Sequence, residues 1–313
     1  MAKSKKKTPQ RPRLRFLLPL LAFTGAFLLY PGNIFYLDLF AYHPELHNGK
    51  SIKEVAVPEE VPYVVSPQPF LNSSAQGLYI TDTETATPLY KKNEHMQRLP
   101  ASTTKVMTAL TASDVFTPED VLTVKRVIDD GQTAKLLAGE QFTFENLLYA
   151  MLVNSANDAA FAIADNYPGG YSAFIIAMNK KAEELGMKNS AFRNPAGLDE
   201  QGQITTAFDL SVAARKLTEN SQLKKIVGTK DITISDVDYK HFHRIYTINE
   251  LLGQIPGIAG LKTGYTELAG QNLITLYKYQ GHSFIIVVLK SSDRFLDTRS
   301  AIGWIQGNVR YIK

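Results

Sequence analysis

Leu99-Pro100-Ala101-Ser102-Thr103-Thr104-Lys105-Val106-Met107-Thr108 sets a hydroxyl and an amine three residues apart at the head of an apolar run. Ser102 to Ser113 reads as a helix. On a helix, positions i and i+3 share a face, with Cβ atoms about 5–6 Å apart, so Lys105 reaches Ser102 Oγ. A serine hydroxyl is a weak nucleophile until a base takes its proton. Lysine serves as that base when burial or a second cation lowers its pKa. Ser-x-x-Lys occurs three times, at Ser4, Ser102 and Ser221. Ser4 belongs to a basic tail, and Ser221-Gln222-Leu223-Lys224 reads as a solvated helix face.

Two later segments carry matching chemistry. Ser155-Ala156-Asn157 offers a hydroxyl that passes protons and an amide that donates to a carbonyl or steadies an amine. Alone it also reads as a cap between two helices. Lys262-Thr263-Gly264, between glycines and ahead of a strand, offers a cation and a hydroxyl for a carboxylate, with a glycine admitting close approach. Alone it also reads as a glycine-rich turn.

The surrounding pattern predicts the layers. Gly77–Asp82 and Thr87–Tyr90 flank a polar turn and predict a hairpin. Thr117-Pro118-Glu119-Asp120 resembles a helix start, as does Thr143-Phe144-Glu145-Asn146. Further helices are predicted over Asn157–Asn166, Tyr171–Leu185 and Thr206–Thr218. Asp231–Ser235 alternates with the strand period. Asn272–Tyr279 and Ser283–Leu289 form a strand pair, and Arg294–Gln306 a closing helix. Strands come early and late with a helical block between them. That order predicts an α+β fold: an antiparallel sheet flanked by helices, plus a helical subdomain, built from non-contiguous sequence.

The chain has 313 residues, 44% hydrophobic and 20% charged, which is ordinary for a globular protein. The first 15 residues hold seven bases and no acid, leaving 27 bases against 30 acids in the remainder. Positive charge confined to a tail argues against a nucleic-acid partner. Without cysteine, disulfides, thiolate chemistry and a lipidated-cysteine anchor are excluded. Residues 16–37 carry no charge and, as a helix, span about 33 Å. Residues 1–15 therefore read as a cytoplasmic tail and 16–37 as a transmembrane signal-anchor, with everything beyond Asp38 exported. The small-x-small run Thr24-Gly25-Ala26 lies too early for cleavage, so the anchor reads as uncleaved. Residues 38–70, punctuated by five prolines, read as an extended linker, and 71–313 as the catalytic domain.

Taken together, the ordered trio Ser-x-x-Lys, Ser-x-Asn and Lys-Thr-Gly is the signature shared by penicillin-binding proteins and class A β-lactamases. The chain resembles the D-alanyl-D-alanine carboxypeptidase family further, in Asn157-Asp158-Ala159-Ala160, Asn194-Pro195-Ala196-Gly197-Leu198-Asp199, Thr206-Ala207-Phe208-Asp209-Leu210, Asn249-Glu250-Leu251-Leu252 and Lys262-Thr263-Gly264-Tyr265-Thr266. It departs from the family at Ala156, Ala196 and Gln203–Ala207.

The resemblance implies a β-lactamase/penicillin-binding transpeptidase-like fold and a serine-type D-Ala-D-Ala carboxypeptidase acting on peptidoglycan stem peptides through an acyl-enzyme. It implies Ser102 as nucleophile, Lys105 as base, Ser155 as proton relay and Asn157 as the residue fixing substrate and lysine. Lys262 and Thr263, with Gly264 and Tyr265 beside them, would hold the terminal carboxylate of the peptide or of a β-lactam inhibitor. The backbone N–H groups of Ser102 and Tyr265 would form the oxyanion hole. No cofactor or metal is implied. Together with the reading of residues 1–37, the expected location is the bacterial cell membrane, with one N-terminal span and the catalytic domain outside.

Other readings share these residues. A DD-endopeptidase uses the same trio. A class A-like β-lactamase adds a Glu-x-x-x-Asn element, but neither Glu183 nor Glu184 has an asparagine four residues on. A catalytically silent cell-wall scaffold has no need of the intact trio. No Gly-x-Ser-x-Gly supports a Ser-His-Asp hydrolase. His241-Phe242-His243 has alternate spacing but reads as hairpin surface rather than as a metal-ligand pair.

Overall fold

The computed structural model describes residues 60–65 and 70–312. The expected tail, membrane segment and most of the linker lie outside the described residues. Among the described residues, no helix is long and apolar enough to cross a membrane.

In chain order the strands are β1 (Val61–Val64), β2 (Gly77–Asp82), β3 (Pro88–Lys92), β4 (Val121–Thr123), β5 (Gln141–Thr143), β6 (Asp231–Ser235), β7 (Phe242–Tyr246), β8 (Ile258–Thr266), β9 (Gly270–Tyr279), β10 (His282–Ser291) and β11 (Val309–Ile312). The helices are α1 (Lys105–Ala112), preceded by a 3-10 turn over Ala101–Thr104, then α2 (Phe144–Val153), α3 (Asn157–Asn166), α4 (Gly170–Glu184), α5 (Ala207–Glu219), α6 (Ser221–Val227) and α7 (Arg294–Asn308).

One five-stranded antiparallel sheet, in the order β3-β2-β10-β9-β8, organises the molecule. Side chains alternate across a strand, and on β10 they do so between two separate cores. Phe284, Ile286 and Val288 join Leu78, Ile80, Leu273 and Tyr277 beneath Trp304 and Ile305 of α7. Ile285, Val287 and Leu289 join Tyr79, Ile274 and Leu276 against the helical block. Both faces of the sheet are covered, which explains the unbroken apolar run at the centre of β10. The β9–β10 connection is the two-residue turn Gln280-Gly281, with φ of 51° and 86°. Positive φ at both positions matches the twist of a tight hairpin.

Side-chain caps define two helices of the central block. Thr143 Oγ1 accepts the N–H of Asn146 at 3.2 Å to open α2, and Thr206 Oγ1 accepts that of Asp209 at 3.0 Å to open α5. Each satisfies an N-terminal amide that the helix itself leaves free. Thr117-Pro118-Glu119-Asp120 does not open a helix. It closes on itself as a turn, Asp120 Oδ2 accepting the N–H of Thr117 at 2.7 Å. The β-branched Val121 and Thr123 then enter β4.

The folded unit also begins earlier than the expected boundary at residue 71. Val61–Val64 falls in the segment read as linker, yet it pairs antiparallel with β11, Val61 opposite Ile312 and Val64 opposite Val309. Pro62 lies within this strand, opposite Tyr311, and in a two-stranded sheet each strand has an open edge on which no ladder N–H is required. Of the histidine pair, only His241 fits the surface reading. The His243 side chain is 13% exposed and packs inward, Nδ1 facing Ala134 O at 3.0 Å. Among the described residues, no group of three or more His, Asp and Glu side chains is arranged to hold a metal ion.

Candidate active site

Ser102 lies in the 3-10 turn and Lys105 is the first residue of α1, so the pair spans a junction rather than one regular helix. A 3-10 turn brings i and i+3 almost into register, and Lys105 Nζ lies 2.9 Å from Ser102 Oγ. The turn is held from three sides. Asn272 of β9 donates through Nδ2 to Leu99 O and Pro100 O, both at 3.0 Å. Gly264 of β8 passes so close that a Cβ there would lie 3.1 Å from Ser102 N and Thr103 N. Gly197 has φ of +88°, and a Cβ there would come within 1.8 Å of Ala101 O. Glycine is therefore required at 197 for both conformation and space.

Lys105 is fully buried. Its amine is 2.7 Å from Asn157 Oδ1 and 2.7 Å from Ala196 O, in addition to Ser102. An amide oxygen and a backbone carbonyl only accept hydrogen bonds. In the neutral amine, two N–H bonds go to those oxygens and the lone pair is left facing Ser102 Oγ. Burial pushes the Lys105 pKa down to about 7, against a smaller opposing pull from Asp158. The neutral form is thus accessible near neutrality, which is the condition for a base.

Ser155, with φ of +66°, sits between α2 and α3. Its Oγ accepts a hydrogen bond from Lys262 Nζ at 2.9 Å. Lys262 also donates to Thr263 O at 2.9 Å. Its pKa is held well below the ordinary lysine value by burial first, then by the positive charges of Lys105 and Arg294. Asn157 opens α3. Its backbone N–H donates to Gln132 O and its Nδ2 to Asp130 O, both at 2.7 Å, tying the 130–132 segment beside the serines.

A cleft of about 410 Å³ is lined by Ser102, Ser155, Asn157, Thr263, Gly264 and Tyr265 along with Asp130–Gln132, Leu198, Ile248 and Arg294. Lys105 and Lys262 lie buried behind it. All eight residues singled out from sequence are therefore gathered at one place, Ser102–Lys105–Asn157 and Ser155–Lys262 as hydrogen-bonded groups and Thr263, Gly264 and Tyr265 along the β8 edge. β8 ends the sheet, so an extended chain can lie along it.

Sequence reading missed Arg294, taken only as the start of the closing helix. Its Nη1 donates to Gly264 O at 2.9 Å. Its Nε and the hydroxyl of Thr263 are both buried without a protein partner. Two donors left open beside Lys262 suit a carboxylate. No local signal distinguishes Arg294 from an ordinary helix-start residue. Asn272 was likewise read only as a strand residue.

Comparison with known proteins gives a consistent picture. Residues 64–293 match the family model described as D-alanyl-D-alanine carboxypeptidase. A D-alanyl-D-alanine carboxypeptidase of Bacillus subtilis is 33% identical over 71% of this chain and 59% of its own length. The match thus spans about three fifths of that relative. A D-alanyl-D-alanine endopeptidase of Escherichia coli is 30% identical over 72% of this chain and 76% of its own. The crystal structure of a Streptomyces DD-transpeptidase superposes with a TM-score of 0.71 at 27% identity, covering 77% of this chain and all of that one.

Proposed function

This chain belongs to the D-alanyl-D-alanine carboxypeptidase family, and we propose that it is a serine D-Ala-D-Ala carboxypeptidase acting on peptidoglycan stem peptides. The observation that carries the reading is the Lys105 amine, buried, with its pKa lowered to about 7 and its Nζ 2.9 Å from a cleft-lining serine oxygen.

In the proposed step, the peptide lies along β8 with its terminal carboxylate against Lys262, Thr263 Oγ1 and Arg294. Lys105 takes the Ser102 proton as Oγ bonds to the carbonyl carbon of the penultimate D-alanine. The C–N bond then breaks. The departing amine receives a proton through Ser155, and free D-alanine leaves. Water hydrolyses the ester and restores Ser102. Backbone N–H groups of Ser102 and Tyr265 would stabilise the oxyanion, a contribution of about 3–4 kcal/mol per donor in such sites. Asn157 holds both the lysine and the substrate amide.

β-Lactams would acylate the same serine. None of the cleft-lining carboxylates belongs to a Glu-x-x-x-Asn element, so slow release of the bound drug is expected. The basic residues 1–15 and the uncharged 16–37 support export of the folded part, with an anchor in the bacterial cell membrane.

Labelling with a fluorescent penicillin, followed by mass mapping of the adduct, tests the nucleophile. An adduct elsewhere than Ser102, or none, rejects the reading. An endopeptidase is the second reading, favoured by the identity to relatives of that name. Digestion of purified muropeptides separates the two. Free D-alanine marks the first, and monomerised cross-links the second.

A further inference from the structure

Two buried donors of the cleft lining, Thr263 Oγ1 and Arg294 Nε, have no protein partner. They mark where the peptide's terminal carboxylate is proposed to sit. The proposed oxyanion donor, the N–H of Tyr265, marks the carbonyl of the penultimate residue further along β8. These two points set direction and register. The peptide runs antiparallel to β8, with its penultimate residue opposite Tyr265 and the residue before that opposite Thr266.

Directly opposed residues on neighbouring strands send their side chains to the same face. Thr266 Oγ1 donates to Asp199 Oδ1 at 2.8 Å, so the Thr266 face is the one turned to the loop around Asp199. The side chain of the third residue from the peptide's C-terminus is therefore directed at that loop.

A second cavity, of about 320 Å³, opens there. It adjoins the cleft through consecutive residues: Leu198 and Glu267 line the cleft, and Asp199 and Leu268 the cavity. Its walls include the aliphatic side chains of Leu99, Ile204 and Leu268, and Leu268 is 64% exposed. Apolar surface left open beside a binding cleft marks a contact site.

Asp199 and Glu200 line the same cavity. Glu200 Oε2 accepts a hydrogen bond from Asn194 Nδ2 at 3.0 Å. Among the described residues, neither carboxylate is paired with a base. Arg193 packs against Gly202, where a Cβ would lie 3.1 Å from its Nε, and Arg98 Nη1 donates to Gln97 O at 2.9 Å. Neither arginine lines the cavity. Aliphatic walls with carboxylates beside them suit a long apolar stem that ends in a cation, burying its methylenes and keeping its charge in water. The two ends of the site are then opposite in sign, Lys262 and Arg294 at one and Asp199, Glu200 and Glu267 at the other.

Resting on the proposed cleavage of D-Ala-D-Ala ends, we infer that this cavity is a specificity subsite for the third residue from the peptide's C-terminus, selecting an aliphatic side chain that carries a free amine. Asp199 and Glu200 meet the amine. Leu99, Ile204 and Leu268 meet the stem.

The test is D-alanine release by the full chain from Nα-acetylated X-D-Ala-D-Ala peptides, with lysine, diaminopimelate, norleucine or alanine as X. Results are read as ratios of kcat/KM between two peptides, which cancel any general loss of activity in a variant. Lysine should exceed norleucine about fivefold, the worth of an ion pair at a wet rim. Norleucine should exceed alanine about tenfold, through partial burial of its methylenes. Diaminopimelate, whose tip adds a carboxylate to the amine, should also exceed norleucine, and its order relative to lysine identifies the natural source of the amine. Asp199→Asn combined with Glu200→Gln should bring lysine within about twofold of norleucine. Leu268→Ser should shrink the norleucine-to-alanine ratio instead. A wild type that favours neither amine over norleucine overturns the inference, as does a preference that survives the double variant. Equal D-alanine release from all four peptides, with penicillin still labelling Ser102, sinks this inference alone. Release from none of them sinks the carboxypeptidase reading and this inference with it.

Discussion

Lys262 Nζ donates to Ser155 Oγ at 2.9 Å, joining a β8 residue to a helix junction 107 positions earlier. This contact fastens the β8 wall of the cleft, proposed to hold the carboxylate, to the α2–α3 junction, proposed to handle the proton. It also places a second buried amine near Lys105, which lowers the Lys262 pKa further. Burial and the positive charges of Lys105 and Arg294 all disfavour a charge on Lys262, while burial is what lowers the pKa of Lys105.

The first consequence is a pH dependence. In the proposed role of base, Lys105 acts only when deprotonated, and its pKa is lowered to about 7. Acylation should therefore climb as pH rises through about 7 and level off above it. Lys105→Arg keeps the positive charge but cannot give it up. It should reduce the acylation rate about 10²- to 10⁴-fold at every pH. Stopped-flow measurement with a fluorescent penicillin checks both. A Lys105→Arg variant that acylates at wild-type rate removes lysine from the base role.

Carboxylate recognition should be separable from nucleophilicity. Arg294→Leu removes a buried guanidinium whose Nε has no protein partner. It should lower acylation efficiency about 10- to 100-fold, the loss of one charge-assisted hydrogen bond. Thr263→Val should do so more mildly, without disturbing Gly264 O. Both effects should shrink for methyl-ester ligands. Equal losses with acid and ester would place these residues outside carboxylate binding.

Gly197→Ala should damage the site through the backbone. The added Cβ collides with Ala101 O, and its φ of +88° is costly for any other residue. Strain alone costs about 1–3 kcal/mol, and the collision displaces the turn that carries Ser102. A melting temperature lowered by about 5 °C or more, with acylation largely lost, is the expected result. An unchanged melt would show that the loop yields without cost.

Asn272→Ala tests the support of the turn from the sheet. It leaves Leu99 O without its Asn272 donor, Pro100 O with Thr103 as its remaining donor, and Lys290 N without its acceptor. Unsatisfied buried groups of this kind cost about 1–3 kcal/mol. Thermal melts should show that loss, and acylation should slow while its pH limb keeps its position, because no charge near Lys105 has changed. A displaced limb would give Asn272 an electrostatic role.

The residue order alone determined the chemistry on offer: a serine with a lysine three positions on, a Ser-x-Asn and a Lys-Thr-Gly, set in alternating strands and capped helices. Local periodicity and local hydrogen bonding produce those elements, so they can be read locally. Tertiary structure decided the rest. Asn272 meets Leu99 across 173 positions, and Gly197 makes room for Ala101 in a loop that no periodic pattern describes. Arg294 turns from helix start to cleft wall, and Val61–Val64 from apparent linker to strand, only because Gly264 and β11 lie beside them. Burial, too, belongs to the whole fold. It is the surrounding packing that brings the Lys105 amine to about 7, and no stretch of sequence carries that desolvation by itself.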